Sequence, residues 1–130
     1  MDKLVGLLSA VVDTTHPAAL VLHFRGEVDI STAGTIRREW VNMITSRRAG
    51  QDVAIVDLSG VDFFGSSGLA ALLECQHSAA EQSLRFRVAG ARPAVTRPFA
   101  GTGLINCFDW YPSLDEALPE SGGPPTDPPS

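Results

Sequence analysis

The side chains of this 130-residue chain best suited to chemistry are two serines set between glycines, three histidines and two cysteines. Gly65-Ser66-Ser67-Gly68 invites comparison with the sharp turn that presents a nucleophilic serine. That turn needs Gly-x-Ser-x-Gly, and Leu69 stands where the final glycine is required. His16, His23 and His77 fall in a turn, on the polar face of a strand and on a helix, without an evident acid partner, so no general base is read from them. Cys75-Gln76-His77 lacks the paired spacing of a zinc site, and neither the phosphate-binding nor the dinucleotide glycine pattern occurs. The reading is therefore of a protein that is not an enzyme and uses no metal or cofactor. On their own, Ser66 and Ser67 are ordinary capping and turn residues.

The elements that must position these residues follow from periodicity. Lys3 and the apolar run Leu4 to Val12 resemble the start of a signal peptide, but Asp2 offsets the single lysine and no small-residue cleavage site follows, so a first strand is expected. From Ala19 to Arg25 the chain alternates, with Leu20, Leu22 and Phe24 on one side and Val21, His23 and Arg25 on the other, and Gly26 is expected to end this strand. Ser31 or Thr32 then caps a helix whose face carries Ile36, Trp40, Met43, Ile44 and Arg47, closed by Gly50. Val53 to Leu58 is nearly continuous in apolar residues, as in a central strand covered on both faces, and Ser59 to Gly65 reads as a loop. A second helix starts near Ser66 with Leu69, Leu72, Leu73, Gln76 and Ala80 at helical spacing, and Leu84, Phe86 and Val88 form a further strand. Pro93 to Ala100 reads as a short helix bent by Pro98, Leu104 to Tyr111 as a last strand, and Ser113 to Leu118 as a helical turn.

Strands alternating with helices after an initial hairpin imply an α/β fold: a single mixed β-sheet, antiparallel only in its first pair, with helices packed largely on one face. One domain is expected over residues 1–118, and the Pro- and Gly-rich residues 119–130 read as a disordered tail. The net charge of −5 argues against a binder of nucleic-acid backbones, despite the clusters at Arg37, Arg38, Arg47 and Arg48 and at Arg85, Arg87, Arg92 and Arg97. No apolar run approaches the roughly 18 residues of a membrane span, and two cysteines are too few for a secreted disulfide scaffold, so cytoplasmic residence is expected.

Two segments stand out against this frame: Arg25-Gly26-Glu27-Val28-Asp29-Ile30-Ser31-Thr32-Ala33, and Val56-Asp57-Leu58-Ser59-Gly60-Val61-Asp62-Phe63-Phe64-Gly65-Ser66-Ser67-Gly68-Leu69. With Pro93-Ala94-Val95, Thr102-Gly103-Leu104 and the segment Tyr111 to Leu118, they resemble the STAS domain of bacterial anti-sigma factor antagonists over about residues 4–118. The resemblance implies the STAS fold and a regulator of transcription that docks on a kinase-like anti-sigma factor and so frees a sigma factor. It also implies that the partner switches the complex off by phosphorylating a serine, here Ser67, with Ser66 beside it. Glu27, Asp29, Ser31, Thr32, Gly65, Ser66, Ser67, Gly68 and Leu69 are then the expected partner-binding residues, in a module that is a monomer when free.

A phosphate at a helix start meets unpaired amides and the positive end of the helix dipole, so the modification is expected to leave the module folded and to act on docking. The sequence departs from the family pattern at Gly65, where an aspartate precedes the serine pair, so a carboxylate that could orient the hydroxyl is missing. Cys75, on the flank of the second helix's apolar stripe, and Cys107, at the entry to the last strand, are a candidate redox disulfide; two buried thiols are the plainer alternative. A scaffold or ligand-sensing subunit of a larger signalling complex is the alternative function.

Overall fold

The computed structural model describes residues 7–119 and contains a five-stranded sheet. Its strands are β1 (Leu8–Asp13), β2 (Ala19–Val28), β3 (Val53–Phe64), β4 (Arg85–Ala89) and β5 (Asp109–Tyr111), in the spatial order of the sequence. β1 pairs antiparallel with β2, and every later pair is parallel. The helices are α1 (Ala33–Thr45), α2 (Ser66–Glu81), α3 (Pro93–Thr96) and α4 (Leu114–Ala117). Each parallel step is a crossover, and crossovers are almost always right-handed. A strand order that never reverses therefore sends successive crossovers over the same face, which is why α1 and α2 lie side by side.

The alternation along β2 and β3 divides the core accordingly. Leu20, Leu22 and Phe24 with Ala54, Val56 and Leu58 point toward α1 and α2, where Ile36, Trp40, Met43, Leu69, Leu72 and Ala79 complete the main cluster. Ala19, Val21, Val53 and Ile55 point the other way and are covered by Ala117, Leu114 and Leu118 at α4. This second cover spans only one end of the sheet. Phe99 locks the later segments to the main core, with ring centroids 5.8 Å from Phe108 and 5.3 Å from Trp110.

Several boundaries differ from the expected ones. β2 continues past Gly26 to Val28 and β3 continues through the expected loop to Phe64, because the two strands stay paired across register shifts at His23/Arg25 and Gly26/Glu27. Gly26, at φ +120°, leaves room for the Leu7 carbonyl, where a Cβ would meet the oxygen at 2.4 Å. α1 stops at Thr45, so Arg47 is not on its face; its guanidinium instead donates to the carbonyls of Gln51 and Gln82. Ala79 rather than Ala80 is buried in α2, and Gln76 is half-buried with its amide donating to the Cys107 carbonyl. Leu104–Cys107 forms a 3-10 turn, and the last strand is confined to Asp109–Tyr111. The expected helix at Pro93 divides into α3 and a 3-10 turn over Arg97–Phe99, the place where Pro98 lacks an amide to donate. Of the expected tail only residue 119 lies within the described residues.

Candidate functional site

The serine pair stands where β3 hands over to α2. Gly65 is the N-cap residue, extended at φ −93° and ψ −176°, and its amide donates to the Val28 carbonyl at 2.9 Å. That bond ties the end of β3 to the end of β2, alongside the paired positions Glu27 with Phe63 and Val28 with Phe64. Ser66 and Ser67 open the helix; Ser66 is exposed and Ser67 half-buried. No side chain caps α2, so its first amides face outward at the positive end of the helix dipole.

Gly65 and Gly68 have different reasons to be glycine. A Cβ on Gly65 would meet its nearest neighbour, Phe63 Cε2, at 3.4 Å, ordinary contact in an extended conformation that any residue adopts. A Cβ on Gly68 would stand 2.6 Å from Val28 Cγ1 and 2.8 Å from the Phe64 ring. Gly68 is buried, and its lack of a Cβ serves the packing of α2 against the strand ends. Leu69 is likewise part of the main core and anchors α2 from below.

The neighbouring turn is held by Asp29. Its Oδ1 accepts from the Ser31 amide at 2.9 Å, the Ser31 hydroxyl at 2.7 Å and the Thr32 amide at 3.1 Å. These bonds, led by the Ser31 hydroxyl, hold the Asp29 carboxyl below the usual carboxylate range. Thr32 occupies the N-cap position of α1 but does not cap it: its Oγ1 accepts from the Asp29 amide at 2.9 Å and donates to the Glu27 carbonyl at 2.8 Å. Thr32 is buried, so it shapes the turn from inside, while Ser31 is exposed and Glu27 and Asp29 are half-buried.

Two residues of this rim were not expected. Ile30, in the turn after β2, is 88% exposed and Phe63, at the end of β3 just before the serines, is 52% exposed. The double phenylalanine held a signal for one of them: in a strand, Phe63 and Phe64 must point to opposite sides, and Phe64 is in the core. The rim therefore combines two exposed apolar side chains, two hydroxyls, Ser31 and Ser66, and an ordered carboxylate.

The remaining candidates lie elsewhere. Cys75 is buried and Cys107 exposed, both as free thiols, and burial pushes the Cys75 thiol up to about 12. His23 has an acid partner after all: its Nδ1 is 2.8 Å from Asp57 Oδ2, an apposition set by the parallel register that pairs the two residues. His77 sits 3.3 Å from Glu81 one turn along α2, both exposed. Among the described residues no group of three or more His, Cys, Asp or Glu could hold a metal ion, and no helix is long and apolar enough to cross a membrane.

Comparison with known proteins bears on the family and the fold. The family model for the STAS domain matches residues 10–117. A Mycobacterium tuberculosis protein provisionally named as an anti-anti-sigma factor, Rv2638, is 32% identical over 104 residues, covering 78% of this chain and 68% of the relative. The anti-sigma-F factor antagonist RsfB of the same species is 29% identical over 103 residues, 79% of this chain and 81% of the relative. Among solved structures, an anti-sigma factor antagonist from Mycobacterium paratuberculosis superposes with a TM-score of 0.74 at 30% identity, covering 86% of this chain and 92% of its own. SpoIIAA in its unphosphorylated form shares the fold, with a TM-score of 0.67 at 19% identity over 84% of this chain and 92% of its own. With the strand order, the α2 start and these matches together, the chain belongs to the STAS domain family.

Proposed function

We propose that this chain is an anti-sigma factor antagonist, which binds a kinase-like anti-sigma factor through the rim formed by the ends of β2 and β3 and the first turn of α2, and so releases a sigma factor. The observation that carries the reading is the exposure of Ile30, in the turn after β2, and of Phe63, at the end of the β3 strand that leads into the uncapped, serine-bearing α2. Apolar side chains left in water on a rigid rim favour association, and the ordered Asp29 turn and the hydroxyls supply direction. The names of the relatives support the same role.

Ser67 is the proposed phosphoacceptor. A phosphate there adds close to two negative charges beside free helix amides, which tolerate it, and beside Ile30 and Phe63, whose burial against a partner it opposes. Gly65 supplies no carboxylate to orient the hydroxyl, so modification of Ser67 rests on groups that the partner brings. A Cys75–Cys107 disulfide is a second proposed control. The Gln76 amide on the Cys107 carbonyl supports it by joining the two segments, while burial of the Cys75 thiol makes its oxidation slow.

Co-purification of the chain, as a cytoplasmic monomer, with an ATPase-type anti-sigma factor tests the reading. Capture that falls on adding ATP, with phosphate on Ser67, supports both role and switch. Absence of capture under every nucleotide and redox condition contradicts the role.

A further inference from the structure

The face of the sheet opposite α1 and α2 is not fully covered. α4 shields the end near Ala19, Val53 and Ala89, and beyond it the β1, β2 and β3 side chains line an open cleft of about 440 Å³. Ser9 and Val11 of β1, His23 and Arg25 of β2, and Asp57 and Ser59 of β3 surround it. A structural sheet face left to water needs only polar side chains. This one instead holds an oriented imidazole.

Asp57 is buried and both of its oxygens are engaged: Oδ1 accepts from the Ser59 amide at 3.0 Å, and Oδ2 lies 2.8 Å from His23 Nδ1. A carboxylate in that position accepts, so it fixes the proton of His23 on Nδ1 and leaves Nε2 as the ring nitrogen available to a ligand. The His23 side chain is 31% exposed, and Nε2 has no hydrogen-bond partner among the described residues. Arg25 is exposed, lines the same cleft and has no ion-pair partner among the described residues. Val11, 61% exposed, forms an apolar wall beside them.

We propose that this cleft is a binding site for a small organic carboxylate with a short apolar chain. The acid group meets the Arg25 guanidinium, with its proton held as an O–H···N hydrogen bond to His23 Nε2, the ring nitrogen left free. The alkyl part rests on Val11. The site is distinct from the docking rim, and its occupancy is read on the free protein, so its success or failure is independent of partner binding.

The test is an NMR titration of the full chain with butyrate at constant ionic strength. Saturable shifts at Val11, His23, Arg25 and Ser59 are expected. Arg25→Ala, at an exposed position, and His23→Gln are each expected to weaken binding at least fivefold while the amide spectrum stays that of the folded protein. Acetate is expected to bind several-fold more weakly than butyrate, since it covers less of Val11. Shifts that grow linearly without saturation, that persist unchanged in Arg25→Ala, or that saturate more readily with inorganic phosphate than with butyrate overturn the proposal.

Discussion

Gly68 packs against Val28 so closely that a Cβ on the glycine would lie 2.6 Å from the valine Cγ1. The contact sets the height of α2 over the ends of β2 and β3, and with it the position of the serine pair relative to Ile30 and Phe63. Gly68→Ala must push against both Val28 and the Phe64 ring. It is expected to destabilise the fold by about 1–3 kcal/mol even after the helix-propensity gain of alanine, a loss read as a lower urea midpoint. A midpoint at or above that of the wild type contradicts the packing described.

Gly65 makes the opposite case. Its backbone is extended and a Cβ fits, so Gly65→Asp is expected to fold normally and to gain a few tenths of a kcal/mol from capping α2. The same carboxylate stands beside the hydroxyls. Phosphate incorporation at Ser67 by the partner kinase is expected to accelerate in this variant, measured by mass spectrometry over time; an unchanged rate removes the carboxylate from the switch.

The two thiols should differ sharply. With a value of about 12, Cys75 is thiolate in only about one molecule in ten thousand at pH 8, and it is buried as well. Iodoacetamide is therefore expected to label exposed Cys107 in the native protein and Cys75 only after denaturation. Because burial raises the folded thiol above its unfolded value, Cys75 contributes stability that is complete below the unfolded value and drains away as pH rises toward 12. Cys75→Ala should flatten that alkaline loss in pH-dependent melting, and an identical alkaline profile in the variant assigns it to other groups.

Removal of the Asp29 carboxylate should loosen one turn without unfolding the domain. In Asp29→Ala the Ser31 amide loses its acceptor while the Thr32 amide keeps the Asp29 carbonyl, so hydrogen exchange at Ser31 is expected to quicken while β3 exchange stays slow. Since bonding holds this carboxyl below its ordinary range, the turn's stabilisation is present above the unfolded value and lost as pH falls through the folded one. Exchange at Ser31 that matches the wild type would show that the turn is held by other means.

Much of the fold was legible because periodicity reports burial. The alternation of Leu20, Leu22 and Phe24 and the apolar run of β3 identify the faces of the sheet, and the spacing of Ile36, Trp40 and Met43 identifies the buried side of α1. What sequence could not convey was register. His23 and Asp57 are 34 positions apart and become neighbours only when β2 and β3 align in parallel. Ser59 to Gly65 reads as a loop, yet β3 runs on to Phe64 because it stays paired with β2 by taking up an extra residue at each register shift. Thr32 carries a capping side chain but turns it away from the helix, since the Asp29 amide supplies the competing donor and the Glu27 carbonyl the acceptor. Gly68 and Ile30 illustrate the same limit: which small residue is packed and which apolar residue is stranded in water depends on how the strand ends meet α2.

The most direct test of the docking rim is the affinity of the kinase-like anti-sigma factor for Phe63→Asp beside the wild type, measured by titration calorimetry. Phe63 is half in water in the free chain, so the variant is expected to melt with the wild type, yet to bind at least tenfold more weakly, a loss of about 1.4 kcal/mol or more. Equal affinities in two equally folded proteins would place the grip of the partner elsewhere on the molecule.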